Sequence, residues 1–402
     1  MELIPRPEYI RQLKSFQNKD VIKIVTGVRR CGKSTLFELF IDELLKSGVP
    51  DSHILHLKFT EVENDSIKTA KELYDKITSQ INLNEEGKNY IFLDEIQEIE
   101  GWEKACDYLY ENKQIDLYLT GSNSHMLSGD LATFLSGRYV EIKMTPLSFQ
   151  EYCSAKPDKT PIENYQDYTT NGSFPYSMQF DNPQDISTYL EGIYNTVVVK
   201  DVAKKNNISD IAGLENVIRF IFDNIGNPLS ATKISNTLKS GKNPVSVPTI
   251  ENYLKALAAA FVVYRVDRYD IKGKEYLTGG YKYYVTDMGL RRTILGNKPV
   301  DLGHILENVV YLELIRRGFE VYIGKTRNSE VDFIAKDKAG NVSYYQVAYM
   351  LSDEATLERE LSPLQEINDH NQKYLLSLDF VPETSYDGIK HINALDWLLE
   401  KD

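Results

Sequence analysis

The sequence predicts an α/β protein that begins with a parallel sheet covered by helices and continues into a winged helix and a second α/β unit. Strand-like apolar runs alternate with amphipathic segments over the first 145 residues. Three short helices and a two-stranded hairpin follow residue 213, and the last hundred residues mix both patterns. We therefore expect a sheet domain at 1–150, a helical linker at 151–212, a winged helix at 213–298 and an α/β domain at 299–402.

The first domain is predicted from five strands and three helices. Its strands are short runs of Val, Ile, Leu, Tyr and Phe, and such runs separated by helices are typical of a parallel sheet buried on both faces. Its helices carry apolar residues three or four positions apart. We place the strands at 21–26, 53–59, 90–93, 116–119 and 139–144, and the helices at 33–46, 67–81 and 102–110.

The second half of the chain contains the winged-helix pattern and then a mixed pattern. A helix over 214–225 is followed by Ser230 and Ser246, each of which suits the capping position before a further helix. The alternating runs at 261–269 and 281–285 predict a hairpin around a charged turn. In the final domain we place helices at 302–317 and 357–367, and strands at 320–323, 330–334, 344–348 and 373–377.

Composition limits the classes of protein to consider. The chain has 402 residues, an apolar fraction of 42% and a formal net charge of −13, so it can bury cores but as a whole would repel nucleic-acid phosphates. Its three cysteines show no CxxC spacing, which argues against a disulfide framework and a structural zinc site. We see no signal peptide and no apolar stretch long enough to span a bilayer. We expect a cytoplasmic protein without a membrane partner.

The strongest chemical signal is GVRRCGKS at residues 27–34, between a predicted strand and a predicted helix. This GxxxxGK[ST] pattern is a P-loop, in which backbone N–H groups and a helix N-terminus surround phosphate oxygens. Lys33 would neutralise the β- and γ-phosphates, and the Ser34 hydroxyl would bind Mg²⁺. We therefore predict ATP and Mg²⁺ as cofactors. The predicted nucleotide-binding residues are Gly27, Arg29, Arg30, Cys31, Gly32, Lys33, Ser34 and Thr35.

Two further strands are expected to bring polar side chains to the same edge of the sheet. The apolar run YIFL is followed directly by Asp94 and Glu95, at the carboxyl end where nucleotides lie in open α/β sheets. We expect Asp94 to hold Mg²⁺, directly or through water, and Glu95 to polarise the attacking water as the catalytic base. Another strand ends in TGSNS, where Asn123 or, as a second choice, Ser122 could orient the water or sense the γ-phosphate. A polar turn is the alternative for these two residues.

Arg138, which directly precedes the last strand of the first domain, is a candidate for a catalytic contact between subunits. An arginine near the edge of the sheet could reach the ATP of a neighbouring copy and stabilise charge in the transition state. That role would require a homo-oligomer, for which a hexamer is one option. The alternative is a surface salt bridge, and the sequence leaves open whether Arg138 acts within its own subunit.

Together these motifs resemble those of a large family of predicted bacterial and archaeal ATPases of the AAA superfamily. The resemblance implies a P-loop NTPase core of the ASCE/AAA type with sheet order 5-1-4-3-2, a winged helix and a restriction-endonuclease-like domain. It also implies DNA as the partner. The matching stretches are Arg6-Pro7, TGVRRCGKSTL (26–36), FLDEIQ (92–97), LTGSNS (119–124), LSGR (135–138), PLSF (146–149), GSFP (172–175), TDMG (286–289) and EVDF (330–333).

The same resemblance sets an expectation for the C-terminal domain. Nucleases of the restriction-endonuclease type place an acid on one strand and Glu/Gln-x-Lys on the next, so that carboxylates bind Mg²⁺ and the lysine helps to activate water. Glu307, Asp332 and Gln346 match the acid, acid and Gln positions, but Ala348 stands at the lysine position. We therefore expect a degenerate nuclease site, kept for binding or assembly, without nuclease activity.

The predicted winged helix is unusually basic for this acidic chain. Residues 213–298 contain 13 Lys or Arg and 7 Asp or Glu. Such a local excess is typical of a nucleic-acid surface, although winged helices in ATPases also serve as lids or subunit contacts. The predicted DNA contacts, in a loop, on the third helix and in the wing, are Lys239, Lys242, Asn252, Lys255, Lys272 and Lys274.

These observations lead to one principal hypothesis and one alternative. The principal hypothesis is an oligomeric, Mg²⁺-dependent ATPase that binds DNA and translocates or remodels it. The alternative is a nucleotide-controlled switch in defence or signalling, with slow hydrolysis and protein partners. Stimulation of ATP hydrolysis by DNA would favour the first hypothesis, and slow hydrolysis that ignores DNA would favour the second.

Overall fold

The computed structural model describes residues 3–81, 87–127, 135, 137–238, 244–296, 298, 301–380 and 384–400. The chain divides into two compact units, Met1–Pro146 with Ala259–Phe261 and Leu147–Ala258 with Val262–Asp402. A five-stranded sheet lies in the first unit and an eight-stranded sheet in the second. Within the described residues, no helix combines the length and the apolar character that a membrane span needs.

The N-terminal unit is built on a parallel sheet of five strands. They are β1 (Ile22–Thr26), β2 (Ile54–Lys58), β3 (Asn89–Asp94), β4 (Ile115–Gly121) and β5 (Tyr139–Lys143). Their order is β2-β3-β4-β1-β5, which confirms the expected order 5-1-4-3-2. Every residue of β1, β3 and β4 is buried, as expected when helices cover both faces of a sheet. The helices are α1 (Pro7–Phe16), α2 (Lys33–Lys46), α3 (Ala70–Gln80) and α4 (Trp102–Glu111).

Aromatic packing fixes α2 against the middle of this sheet. Phe37 and Phe40, one turn apart on α2, meet Phe92 of β3 with ring centroids 5.1 Å and 6.2 Å away. Phe92 in turn stacks on Tyr118 of β4 at 4.7 Å. All four rings are buried. Because α2 begins at Lys33, this apolar contact also sets the position of the residues that follow β1.

The C-terminal unit contains a mixed sheet of eight strands. They are β6 (Val263–Asp270), β7 (Glu275–Val285), β8 (Glu320–Lys325), β9 (Glu330–Lys336), β10 (Val342–Val347), β11 (Gln372–Ser377), β12 (Thr384–Tyr386) and β13 (Ile389–Asn393). Their order is β12-β13-β11-β10-β9-β8-β6-β7. The helices are α5 (Phe149–Ala155), α6 (Pro161–Asn171), α7 (Pro183–Thr196), α8 (Ile211–Asp223), α9 (Ala231–Leu238), α10 (Val247–Ala259), α11 (Met288–Leu295), α12 (Leu302–Arg316), α13 (Glu354–Gln365) and α14 (Ala394–Leu398).

The hairpin that we assigned to the winged helix continues the C-terminal sheet. Three helices, α8 to α10, precede it as expected, and Ser230 and Ser246 accept N–H groups from the first turns of α9 and α10. However, the end of β6 pairs in parallel with β8. Periodicity along the chain cannot reveal such a pairing, because it joins distant segments. The division of the chain into four domains remains a prediction. The predicted boundary at residue 298 does not separate two sheets, because β6 and β7 before it belong to the same sheet as β8 to β13 after it.

Candidate functional site

The P-loop connects the end of β1 to the start of α2. Steric constraints explain why two of its positions are glycine. A Cβ on Gly27 would lie 2.1 Å from the carbonyl oxygen of Met144, so no other residue fits there. Gly32 precedes α2 with φ 103°, in the left-handed region that favours glycine. Arg30 adopts φ 68° without being glycine. The loop therefore has a defined conformation that ends at the N-terminus of α2, where anions bind well.

Lys33 places a buried positive charge within this loop. Its Nζ donates to the carbonyl oxygens of Gly27 at 3.0 Å and Val28 at 3.3 Å, and it lies 3.3 Å from Oε1 of Glu95. Burial lowers the pKa of Lys33, but Glu95 and other acidic neighbours outweigh burial, so the pKa is raised. The ammonium is therefore charged at neutral pH and held where phosphate oxygens would need it.

Asp94 and Glu95 lie at the carboxyl end of β3, and Thr120 of β4 connects them. The Thr120 hydroxyl donates to Oδ1 of Asp94 and accepts the backbone N–H of Glu95 at 2.8 Å. Glu95 has φ 56° and ψ 47°, a conformation that costs a non-glycine residue about 1–3 kcal/mol. Thr120 is completely buried, so both of its hydrogen bonds are shielded from water. This threonine was not among the predicted site residues, although it stands within the quoted stretch LTGSNS.

Glu95 is a buried carboxylate held by several polar neighbours. Gln97 donates through Nε2 to Oε2 of Glu95 and, at 3.5 Å, to the hydroxyl of Ser122. Burial alone would raise the pKa of Glu95. Lys33, Gln97 and Arg29 together lower it by more than burial raises it, so the pKa falls to about 2. Glu95 is consequently ionised throughout the neutral range. Ser122 thus lies close to Glu95, and Asn123, the first choice, is buried at the same end of β4.

Arg138 lies at the opposite end of the sheet. Its carbonyl oxygen accepts the N–H of Ile22, the first residue of β1, whereas the P-loop follows the last. Its guanidinium contacts Asp107 and, at 3.2 Å, Glu111, and lies 5.3 Å from the ring centroid of Tyr110. A strand of this length spans about 16 Å. Arg138 therefore does not reach the P-loop of its own chain, so only a contact across subunits would give it a catalytic role.

Arg6 holds the P-loop through hydrogen bonds to backbone carbonyl oxygens. The sequence patterns did not assign this residue to the site. Its guanidinium donates to the carbonyl oxygens of Cys31 at 3.1 Å, Thr145 at 2.8 Å and Pro146 at 3.3 Å. It also lies over the ring of Tyr9 and is 3% exposed. It connects the loop to the segment after β5. The signal that could have identified it is its place in the Arg6-Pro7 pair that opens the family resemblance.

Comparisons with known proteins identify the family of this chain. The AAA domain family matches residues 19–153, and a domain of unknown function, DUF8612, matches residues 162–301. An uncharacterized protein of Haemophilus influenzae is 40% identical over 99% of both chains. The chain belongs to the AAA-superfamily P-loop ATPases. An uncharacterized protein of Methanocaldococcus jannaschii is 29% identical over 87% of this chain and 79% of its own length.

A solved structure shares the fold of this chain. The Walker-type ATPase paby2304 of Pyrococcus abyssi has a TM-score of 0.52 and 14% sequence identity. The similarity covers 73% of this chain and 96% of that one. It therefore supports the architecture alone.

The C-terminal unit brings together the three residues of the predicted degenerate nuclease site. Oδ2 of Asp332 accepts the N–H of Val347 at 2.9 Å, and Oε1 of Gln346 accepts the N–H of Asp332 at 3.3 Å. Burial and the carboxylate of Glu307 raise the pKa of Asp332, to about 8. Ala348 follows β10 and is buried, so it contributes no charge to this site.

Lys282 of β7, which the sequence patterns did not identify, lies among these carboxylates. Its Nζ is 3.0 Å from Glu307, 3.1 Å from Glu330 and 3.6 Å from Asp332. Tyr284, on the same face of β7, donates to the same oxygen of Glu307. Burial lowers the pKa of Lys282, but the three carboxylates outweigh burial and raise it. The signal in the sequence was a lysine within a strand of tyrosines, at a position that alternates onto the buried face.

The predicted DNA contacts that the structure describes are all on the surface. Asn252 and Lys255 are exposed on α10, and Lys272 and Lys274 are exposed in the turn between β6 and β7. Exposure is what a phosphate contact requires, but it does not identify the partner. The two remaining predicted contacts, Lys239 and Lys242, lie outside the described residues.

Some of the basic side chains in residues 213–298 are buried or bonded within the domain. Lys282 and Arg291 are buried, and Arg291 donates to the carbonyl oxygen of Phe222 at 2.7 Å. Arg219 donates to the carbonyl oxygen of Ile294 at 2.6 Å. These cations stabilise the domain rather than attract phosphates. The charge count alone therefore overstated the basic surface that DNA could contact.

Proposed function

We propose that this chain is a Mg²⁺-dependent ATP hydrolase. The single observation that carries the proposal is the convergence of Lys33, at the start of α2, and Glu95, 3.3 Å away, beside Asp94 at the carboxyl end of β3. ATP phosphates would bind the backbone N–H groups of residues 27–34, and Lys33 would neutralise their charge. Glu95, already ionised, would accept a proton from the attacking water. Arg29, Arg30, Cys31 and Thr35 would complete the nucleotide contacts.

The side chains present suit Mg²⁺. A serine hydroxyl and a carboxylate are hard oxygen donors, the type this ion prefers, and they are supplied by Ser34 at the start of α2 and by Asp94. When bound, the ion would offset negative charge on the β- and γ-phosphates. Thr120 would hold Asp94 in place by its hydroxyl hydrogen bond, so that the second carboxylate oxygen could face the ion or its water.

Glu95 has to change partners before it can act as the base. Its carboxylate contacts Lys33 and Gln97, which keep its pKa at about 2 and make it a weak proton acceptor. Phosphate oxygens would compete for the Lys33 ammonium, and loss of that neighbour would raise the pKa of Glu95. We therefore propose that nucleotide binding raises the pKa of Glu95 and so prepares it to accept a proton from the water that attacks the nucleotide.

We further propose DNA as the partner and a homo-oligomer as the active form, in which the ATPase translocates or remodels DNA. The exposed residues Asn252, Lys255, Lys272 and Lys274 support the first part. The position of Arg138, at the far end of its own sheet, supports the second. Contacts of this type predict an affinity for DNA that falls steeply with salt.

The test is steady-state ATP hydrolysis with and without single-stranded, duplex and four-way-junction DNA, at low and moderate salt. Stimulation by one DNA form, weaker at the higher salt, would support the proposal and identify the preferred substrate. Lys33→Ala should abolish turnover and serves as the control for contaminating ATPases. A rate indifferent to every DNA form, in a protein that still hydrolyses ATP, would contradict the DNA role and leave the ATPase proposal standing.

The restrained state of Glu95 supports a second candidate, a nucleotide-controlled switch with protein partners in defence or signalling. A base held by Lys33 and Gln97 in a strained conformation would give slow hydrolysis, as such a switch requires. Tight retention of nucleotide, slow turnover and no binding to DNA would favour this version. In either version we propose that the Glu307–Asp332 cluster does not act as a nuclease, because its carboxylates are ion-paired with the Lys282 ammonium, which would compete with Mg²⁺ for them.

A further inference from the structure

A groove opens in the C-terminal unit where the β6–β7 hairpin ends. The turn between the strands, Ile271–Lys274, lies beside the neighbouring strand, since the N–H of Ile271 donates to the carbonyl oxygen of Lys325 at 3.0 Å. The hairpin tip and the strands β8 to β10 enclose a cavity of about 830 Å³. That size lies within the range of ligand-binding clefts. We call this cavity the tyrosine groove.

Three tyrosines form one aromatic surface of the tyrosine groove. The ring centroid of Tyr276 lies 5.3 Å from that of Tyr269 and 5.4 Å from that of Tyr322. Tyr269 and Tyr322 are partly buried against the apolar core of the sheet, whereas Tyr276 is 61% exposed. The two inner rings thus support an outer ring that leaves an aromatic face open to solvent. A planar unsaturated ring is the ligand group that such a face binds best.

Four cations line the same groove. Lys272, Lys274 and Arg327 are exposed, and Lys336 is half-buried. Among the residues that the structure describes, none of the four forms an ion pair with a carboxylate within 4.0 Å. Their charge is therefore available to a ligand. Their arrangement around an aromatic surface is the combination that proteins use for nucleic-acid backbones and bases.

Two acidic residues also line the groove, but both already have partners. Glu366 accepts the N–H of Asn328 at 3.3 Å and the hydroxyl of Ser329 at 3.1 Å. Asp369 accepts the hydroxyl of Tyr344 at 2.7 Å. Hydrogen bonding to Thr326, and then to Asn328 and Ser329, lowers the pKa of Glu366 and keeps its carboxylate bound to the loop. The four cations outnumber the two carboxylates, so the lining has a net positive charge.

We propose that the tyrosine groove binds single-stranded nucleic acid, with a base stacked on Tyr276 and phosphates on Lys272, Lys274 and Arg327. Stacking selects a single strand, because base faces inside a duplex are covered by their neighbours. The inference rests on the proposed DNA role for the class of partner and deepens it by naming the form of nucleic acid. It assigns the hairpin turn to strand binding, whereas a wing would contact a duplex.

The experiment is fluorescence anisotropy of a labelled oligothymidylate of about 20 nucleotides and of a duplex of equal length, without ATP. The wild-type protein should bind the single strand more tightly than the duplex. Tyr276→Ala should weaken binding of the single strand by about 5- to 150-fold, the usual effect of losing one base–aromatic stack. Tyr276→Phe should retain wild-type affinity, because stacking needs the ring and not the hydroxyl.

The matched control is Tyr176→Ala. Tyr176 is also exposed, at 51%, and belongs to another aromatic cluster, with its ring centroid 5.3 Å from that of Tyr189. The Tyr176→Ala variant should bind the single strand with wild-type affinity. Because Tyr276 is exposed, its replacement should also leave the thermal melting curve unchanged, which separates a binding defect from misfolding.

Three results would overturn the inference. Equal affinity of Tyr276→Ala and wild type for the single strand would show that stacking is absent. Stronger binding of the duplex would point to a duplex surface instead. Full displacement of the strand by free thymidine monophosphate at low concentration would indicate a mononucleotide site. The proposed function is judged separately, since strand binding that depends on Tyr276 can persist when no DNA stimulates ATP hydrolysis.

Discussion

Replacing Lys282 with methionine should destabilise the C-terminal unit. The change keeps an unbranched chain of similar length but removes the ammonium that lies 3.0 Å from Glu307 and 3.1 Å from Glu330. The side chains of Lys282 and Glu307 are each 6% exposed, so water cannot replace the lost cation. Removing one partner from a buried ion pair costs about 3–5 kcal/mol. We expect the lower end, about 3 kcal/mol at pH 7.5, because Glu330 retains 28% exposure.

The loss should shrink as the pH falls. Without Lys282, the folded-state pKa of Asp332 lies further above its unfolded value, since the ammonium no longer opposes the effect of burial. A carboxyl group with a raised folded pKa binds more protons in the folded state, so stability declines as pH rises from the unfolded pKa to the folded one. In the wild type the folded-state pKa of Asp332 is about 8, so wild type and variant both keep this proton below that pH and diverge above it. The variant should therefore be closer to wild type at pH 7.5 than at pH 9.

The assay is urea unfolding followed by the fluorescence of Trp397. The chain has two tryptophans, so a Trp102→Phe background leaves Trp397, buried beside Arg317 in the C-terminal unit, as the reporter. Lys338→Met, at an exposed turn, is the matched control and should change the unfolding free energy by less than about 0.5 kcal/mol. If Lys282→Met matched this control at both pH values, the buried charge cluster would contribute nothing and our reasoning would be wrong.

Three further predictions concern the ATP site. Glu95→Gln should bind ATP as the parent does while hydrolysing it about 10²–10⁴-fold more slowly, and hydrolysis at the parent rate would refute its role as the base. Thr120→Val should lower the stability of the N-terminal unit by about 1–3 kcal/mol, read from Trp102 fluorescence, because the buried N–H of Glu95 loses its acceptor. Arg138→Ala should hydrolyse ATP about 10³-fold more slowly, and mixing it with Lys33→Ala should restore turnover. No recovery would argue against a contact across subunits.

The parts of this protein that local sequence determines were predictable. The P-loop needs Gly27 and Gly32 for backbone reasons, and the structure gives each a steric explanation. The helix at 33–46 has the predicted bounds, and the five strands follow from periodicity with ends shifted by at most two residues. The helix expected from 67 begins at Ala70, since Thr69 caps it by accepting the N–H of Glu72. The sheet order came from the family resemblance rather than from any feature of single strands.

Residues that act through distant partners could not be predicted in this way. Arg6 is 25 residues from Cys31 and about 140 from Pro146, and nothing local indicates that it would contact both. Lys282 and Glu330 are likewise joined only by the fold. The charge count over 213–298 was misleading because it treated a buried lysine as a surface one. For the same reason, comparison with a nuclease motif located a missing lysine at Ala348 but not the cation that another strand supplies.

The hairpin β6–β7 and the later strands β8 to β13 form one sheet, which has a consequence for synthesis on the ribosome. The hairpin β6–β7 leaves the ribosome well before β8 and β9, which lie 35–51 residues beyond the end of β7. Until they arrive, the edge of β6 has no partner, and Lys282 has no carboxylate from Glu330 or Asp332. An unpaired edge flanked by tyrosines is a site for mispairing between nascent chains. We therefore expect rare codons or premature stops between residues 286 and 320 to cause aggregation, more so than those after residue 377.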